Sequence, residues 1–217
     1  MTLAIDGMVH TSQNTASCVV ALTTTQANDY IMVCFLSNGA PTLSVVGASL
    51  GAFTQIGQVF RGTSPFSEEV WAKFSPGVLS GENITITLNT AAVIVVDAFG
   101  VSGSGQTALV FDSGGPQTLS GMPADPISLT TVNANTMVIG SFSLGSGASN
   151  TPGTGFSLVN SGDFHQVEYK VLSATATTSV ALGIPGASDG GIAVAIVQNT
   201  SGGPTFVLEP NQQRIIM

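Results

Sequence analysis

The pentapeptide Gly47–Gly51, GASLG, has the G-x-S-x-G spacing that holds a nucleophilic serine at a strand-to-helix turn in α/β-hydrolases. Ser49 would need a helix behind it, a histidine base and an acid to orient that base. LGAFTQIG follows instead, a turn and a strand, and the chain has only two histidines, His10 and His165. No nucleophilic role is expected for Ser49. His165 lies close to Asp163 and Glu168, but a zinc site needs three or four ligands in fixed geometry. Three residues of one turn and strand do not supply it, so solvated polar residues at a strand edge are expected. Asp112, Asp125 and Asp189 stand beside Gly- or Pro-rich turns, where aspartate caps its own backbone, and no D-x-D-x-D-G calcium loop accompanies them.

Glu68 and Glu69 are adjacent, so on a strand they point to opposite faces. Glu69 shares a face with Trp71, which would suit a sugar-stacking platform if the indole were exposed. The expectation is that Trp71 is core. Glycoside hydrolysis needs two convergent carboxylates, and folding could join distant ones, but no local signal marks such a pair. GVSGSG (Gly100–Gly105) and GSGASN (Gly145–Asn150) fit neither dinucleotide nor P-loop patterns. The residues thus predict no catalytic set, no metal and no cofactor: a chain that is not an enzyme.

These side chains must be positioned by strands, because no window of ten or more residues carries a helical period. Short β-branched and apolar runs alternate with Gly, Ser, Asn and Pro clusters. Strands are predicted at Ala16–Thr23, Asp29–Ser37, Thr42–Val46, Phe53–Phe60, Glu68–Phe74, Asn83–Leu88 and Ala92–Phe99. Further strands are predicted at Ala108–Asp112, Ile127–Thr131, Thr136–Leu144, Phe156–Val159, Gln166–Leu172, Ser179–Leu182 and Gly191–Gln198. ITITL alternates as a half-exposed strand does, whereas IMVCFL and VIVV are apolar throughout and call for cover on both faces. Asn38-Gly39 marks a two-residue hairpin turn. ALTTTQANDYIMVCFLSNG (Ala21–Gly39) resembles SLTTVNANTMVIGSFSLGSG (Ser128–Gly147), a weak internal repeat with an echo between VWAKFS (Val70–Ser75) and EYKVLS (Glu168–Ser173). One antiparallel β-sandwich over residues 1–203 with negligible helix is expected, followed by an extended arm over 204–217.

Composition narrows the partners. Only 7% of the 217 residues are charged, against about 25% in an ordinary soluble domain. The four basic residues, Arg61, Lys73, Lys170 and Arg214, are dispersed and the net charge is -8, so neither nucleic acid nor an anionic membrane is an expected partner. The longest apolar runs, Ile31–Leu36 and Ala91–Val96, fall far short of the roughly 20 residues of a membrane helix. The N-terminus, MTLAIDGMVHTSQ, lacks the pattern of a secretory signal. A polar, nearly charge-free surface without an export signal fits a virion protein made in a host cytoplasm, and equally a chain whose signal has been removed or a substrate of a signal-less secretion route. Cys18 and Cys34 could form a cross-strand disulfide or stay buried thiols, and reduced thiols are expected.

Several segments in order resemble a β-sandwich domain, jelly-roll-like, that recurs in phage virion proteins and bacterial surface proteins. They are Thr23–Val33, SVVGASLGAFTQIG (Ser44–Gly57), EVW (Glu69–Trp71), ITITLNTAAVIVVDAFGVSG (Ile84–Gly103) and TMVIGSF (Thr136–Phe142). The resemblance implies a phage virion structural protein: a capsid decoration or cement protein, or a head-fibre or tail component. Its partners would be copies of itself and other virion proteins. The alternative is a carbohydrate-binding or adhesive module of a bacterial surface protein. The arm PTFVLEPNQQRIIM carries Phe206, Leu208, Ile215 and Ile216, and Pro204 and Pro210 disfavour a helix there. Those four side chains are the expected assembly contacts.

Overall fold

An apolar run such as IMVCFL cannot face water. In the computed structural model, which describes residues 2–60, 66–121, 125–145, 151–184 and 188–199, both faces of its strand are covered. Among the described residues there are fourteen strands and no helix, and every strand pairing is antiparallel. The expected all-β antiparallel sandwich is what the chain forms.

The first half contributes β1 (Ala4–Leu22), β2 (Asp29–Asn38), β3 (Thr42–Gly47), β4 (Gly51–Ala52), β5 (Thr54–Phe60), β6 (Phe66–Ser75) and β7 (Glu82–Ser102). Their order is β4-β3-β7-β2-β6-β5, with β1 along the other edge of β7. Two predicted strands, Asn83–Leu88 and Ala92–Phe99, are one strand here, because β7 belongs to two layers. Its first part pairs with β3 and its second, Ile94–Val101, with β2. β1 follows it through a register shift between Thr15 and Ser17. The sheet thereby folds over on itself around Cys18, Val20, Ile31, Val33, Phe35, Ile84, Ile86, Ile94 and Val96. The predicted strand Ala16–Thr23 omits the first part of β1, Ala4–Thr15, whose polar stretch HTSQNT is held by backbone pairing to β7 rather than by burial.

The second half contributes β8 (Gln117–Ser120), β9 (Ile127–Thr130), β10 (Thr136–Leu144), β11 (Ser157–Gly162), β12 (His165–Leu172), β13 (Thr177–Val180) and β14 (Ser188–Val197). β11-β12-β10-β14-β8 form one sheet, and β13 with β9 a ribbon over it. Between them lie Leu129, Val138, Phe142, Phe156, Val180 and Leu182. Of the predicted strand Ala108–Asp112, only an isolated bridge from Phe111 to Ile196 forms.

The weak sequence repeat is a structural one. The order β5-β6-β2-β7-β1 recurs as β11-β12-β10-β14-β8. Asp6 accepts hydrogen bonds from the amides of Thr25 and Gln26, and Asp112 from those of Val132 and Asn133. Asn28 and Asn135, each just before a central strand, both have positive φ (62° and 55°). The Thr24 amide donates to Leu79 O while Thr24 Oγ1 accepts from Leu79 N, and Thr131 bonds Ala176 in the same two ways. Strand pairing extends the match: Tyr30 opposite Phe74 corresponds to Met137 opposite Val171.

The two five-stranded faces pack on each other. Tyr30, Met32, Val70, Phe99 and Val101 from the first half meet Met137, Ile139, Val167, Val194 and Ile196 from the second. β2 and β10 therefore bury both faces, Ile31, Val33 and Phe35 turning one way and Tyr30, Met32 and Cys34 the other. The Tyr30 hydroxyl donates to Ala108 O (3.0 Å) and accepts from Val110 N (2.9 Å), pinning the connection between the halves. One expected turn is absent as a hairpin. β2 pairs with β6 and β7 but not with β3, so Asn38-Gly39 leads the chain from one layer to the other.

Candidate functional site

At one end of the inter-sheet contact the apolar packing gives way to ionisable groups. Glu68 lies on β6, Asp97 on β7, and Ser141 and His165 on β10 and β12. The backbone register fixes them: Cys34 pairs with Asp97 on one side and Val70 on the other, and Ser141 pairs with Val167. Side chains two apart on a strand share a face, so Glu68 joins Val70, and His165 joins Val167, in the contact.

The His165 ring sits between two carboxylates. Its Nδ1–H donates to Asp97 Oδ2 at 2.6 Å and its Nε2–H to Glu68 Oε1 at 2.9 Å. Ser141 Oγ donates to the same Glu68 oxygen at 2.5 Å and lies 3.2 Å from Nε2. Glu68, Asp97 and His165 have no exposed side-chain surface. Burial opposes charge on the imidazole, but the facing Glu68 and Asp97 overcome it and hold the pKa at about 10. The Asp97 carboxyl is lowered to about 2, its burial outweighed by hydrogen bonds from His10 and His165. Glu68 is raised by burial, against the pull of His165. Neighbouring Cys34 is pushed well up by burial and by Glu68.

A second histidine extends the cluster towards solvent. His10 Nδ1 lies 2.8 Å from Asp97 Oδ1, which also accepts from Asn160 Nδ2 at 2.8 Å. His10 Nε2 is 3.3 Å from Asp163 Oδ2. His10 is raised mainly by its hydrogen bond to Asp97, against partial burial.

The connectivity Asp97–His165–Ser141 follows the acid–base–nucleophile order of a serine hydrolase. Its nucleophile is sealed, however: Ser141 is 1% exposed and its hydroxyl is tied to Glu68. What the cluster does physically is join the sheets. Two acids of the first half clamp one cation of the second, and each carboxylate left alone would carry a large desolvation cost.

A second buried carboxylate is held by neutral donors among the described residues. Glu69 accepts hydrogen bonds from Thr42, Gln55, Gln58, Ser67 and the Trp71 indole N–H (2.8 Å). Glu68 and Glu69 thus face opposite ways, as alternation requires. Trp71 is partly buried against the first core, so Glu69 and Trp71 form a packed unit rather than an open platform.

Two further acids are held near neutrality. Burial, with Asp6 beside it, raises Asp29 to about 7. Burial raises Glu168 to about 7 despite the Gly153 amide donating to it at 2.8 Å.

Several expectations need correction here. His165 and Glu168 are not solvated edge residues but fully buried, and they turn into different layers, with Asp163 in the exposed turn between β11 and β12. The cause was not local: the carboxylates that bury His165 come from 68 and 97 positions upstream. Ser49 lies in the β3–β4 turn with its hydroxyl and amide on Glu82, and neither histidine is among its hydrogen-bond partners. Asp112 is the backbone cap that was expected. Cys18 and Cys34 are buried free thiols on opposite sides of the first sheet. The arm residues Phe206, Leu208, Ile215 and Ile216 lie outside the described residues. The chain matches no protein-family model, no curated protein and no solved structure.

Proposed function

We propose that this chain is a non-enzymatic structural component of a phage virion: a capsid decoration or cement protein, or a head-fibre or tail component. The observation that carries the reading is a charge-free sheet face. The outer layer of the first half turns Ser17, Val19, Ala21, Val46, Thr85 and Thr87 outward, with Val46 and Val19 flanking Thr85 in register. Val19 is 48% exposed and Leu43, on β3 beside this face, 64%. A surface meant only for water carries charges; the centre of a protein contact is depleted of them and keeps such neutral side chains. The acids with nearest access to charged chemistry are spent inside, on the inter-sheet clamp and the Glu69 cluster.

A sugar-stacking role is less well supported. Tyr30 is wholly buried, and Trp71 is packed and hydrogen-bonded to Glu69. The experiment is quantitative mass spectrometry of purified particles. The chain is expected in fixed stoichiometry with the major shell protein. Its consistent absence from intact particles would sink the proposal.

A further inference from the structure

In their outer layers the two halves differ at one turn. In the first half β3 runs beside the first part of β7, Ser44 opposite Thr87, and the chain returns through the β3–β4 turn to Phe53 and β5. In the second half residues 151–154 take the place of β3, and Gly183 N bonds Thr151 O where Thr87 faces Ser44. These positions correspond because Leu22 opposite Glu82 matches Leu129 opposite Thr178. The next strands match as well, Thr54 opposite Ala72 and Ser157 opposite Tyr169. Between these fixed points five residues, Ala48–Ala52, join Gly47 to Phe53 in the first half, and Gly155 alone joins Thr154 to Phe156 in the second.

The first half shows what the longer turn covers. Ser49 N, Ser49 Oγ and Leu50 N donate to Glu82, and Lys73 Nζ donates to Ala52 O at 3.0 Å. The corresponding positions in the second half are Thr178 and Lys170. A groove of about 470 Å³ lies over them, and its walls include Gly153, Thr154, Lys170, Thr177, Thr178 and Ser179. Lys170 leans into the vacated space, its Nζ 5.6 Å over the Phe156 ring and 3.2 Å from where a Cβ at Gly155 would stand. None of the described walls is acidic. Glu168 is fully buried and accepts the Gly153 amide. β13 pairs with β9 along one edge only. Thr131 N bonds Ala176 O, so alternation turns the backbone N–H and C=O groups of Thr177 and Ser179 away from β9.

We infer that this groove receives a tight turn of another protein, a hairpin tip carrying an acidic side chain. The shape comes from the first half, which fills the same place with a turn of its own. The charge comes from the substitution: the acceptor Glu82 is replaced by the Thr178 hydroxyl, while the ammonium of Lys73 is kept as Lys170 without its carbonyl cap. A carboxylate would take charge-assisted bonds from Lys170 and the hydroxyls together. The open edge of β13 would pair with the incoming backbone, as β7 pairs with β3. The groove belongs to the fold, and its role goes beyond membership of a particle and does not depend on it.

The test uses the full chain and two synthetic peptides. One is SVVGASLGAFTQ, the chain's own Ser44–Gln55 hairpin, and the other is the same peptide with Ser49→Asp. Titration followed by NMR should shift the signals of Lys170 and Thr177–Ser179. The acidic peptide should bind about tenfold more tightly, the gain of a charge-assisted bond. Lys170→Met should remove that difference and leave the thermal transition unchanged. Inserting Ala-Ser-Leu-Gly between Thr154 and Gly155 gives the second half the turn that it lacks and should abolish binding. Shifts confined to other parts of the molecule, or none with either peptide, overturn the inference. Tighter binding of glucuronate than of either peptide would overturn it in favour of a saccharide site. Peptide binding that appears only once residues 200–217 are deleted would overturn it too, because the chain's own arm would then fill the groove.

Discussion

The two halves of the molecule have the same strand order and the same capped turns, yet they spend their polar residues differently. In the first half β1 and β7 run unbroken for 19 and 21 residues and fold one sheet over itself. In the second half the corresponding strands are interrupted, giving β8 and β9, β13 and β14. Where the first half places Asp29 beside Asp6, the second places Thr136 after the Asp112 turn. The corresponding positions Glu68 and His165 are direct partners across the interface, as are the corresponding core residues Val70 and Val167 within it. Corresponding residues meet at an isologous contact between two identical subunits. The difference teaches that a common fold tolerates substitution at its axis provided that charges remain complementary there.

The largest effect that can break this comparison is loss of the shared cation. His165→Ala leaves Glu68 buried with only the Ser141 hydroxyl and Asp97 with only His10 and Asn160, and is expected to cost about 3–5 kcal/mol in chemical denaturation. A loss below about 1 kcal/mol would mean that the clamp does not hold the halves. Phe35→Ala and Phe142→Ala empty the separate cores of the two halves and should each cost about 3–5 kcal/mol. Because a third core joins the halves, a single unfolding transition should persist in both variants. Two resolved calorimetric peaks would show that the halves unfold independently.

The pH profile sharpens the contrast at the acids. Asp29 and Glu168, raised to about 7, bind a proton in the folded chain that the unfolded chain has released near pH 4. Their contribution is complete below pH 4 and lost as pH climbs to 7. His165, raised to about 10, contributes fully below pH 6.5 and loses its share between there and 10. Asp97, lowered to about 2, acts oppositely, its contribution vanishing as pH falls from 4 to 2. Stability should therefore peak near pH 4 and decline on both sides. Asp29→Asn should flatten the fall between pH 4 and 7, and an unchanged slope in that variant would refute the assignment.

Smaller effects compare the turns. Asp6→Ala and Asp112→Ala each orphan backbone amides and should cost about 1–3 kcal/mol, to a similar degree in the two halves. Asn28→Ala and Asn135→Ala force alanine into left-handed backbone and should each cost about 1 kcal/mol. Unequal costs in either pair, read from thermal melts, would show that the likeness is in shape but not in energetics.

What could be read from the sequence followed local pattern. IMVCFL announced a doubly covered central strand because its burial is continuous, VIVV did so for Ile94–Val96 but not for the exposed Val93, and Thr136–Leu144 was placed at its observed bounds. The repeat at an offset of 107 residues was visible because Asn28/Asn135 and Thr24/Thr131 meet local backbone demands. The first part of β1 was illegible because its residues are polar and only its hydrogen bonds make it a strand. The ionic clamp was illegible for a different reason. Glu68, Asp97 and His165 are far apart in the chain, and no pattern in one strand shows which residues of another layer will face it. The one usable signal was scarcity: in a chain with so few charges, acidic residues inside apolar strands such as VIVVDAFG should be read as buried and paired.

A chain of two similar halves runs a hazard that its clamp addresses. During synthesis or at high concentration, the first half of one molecule could dock against the first half of another, since their apolar faces are alike. Such a mispairing would bring Glu68 against Glu68 without the His165 imidazolium that faces it in the native contact, leaving only the partly exposed His10 beside each Asp97. Two second halves would oppose His165 to His165 with no acid between. Only a first half on a second half closes the electrostatics, so the clamp also proofreads which faces meet.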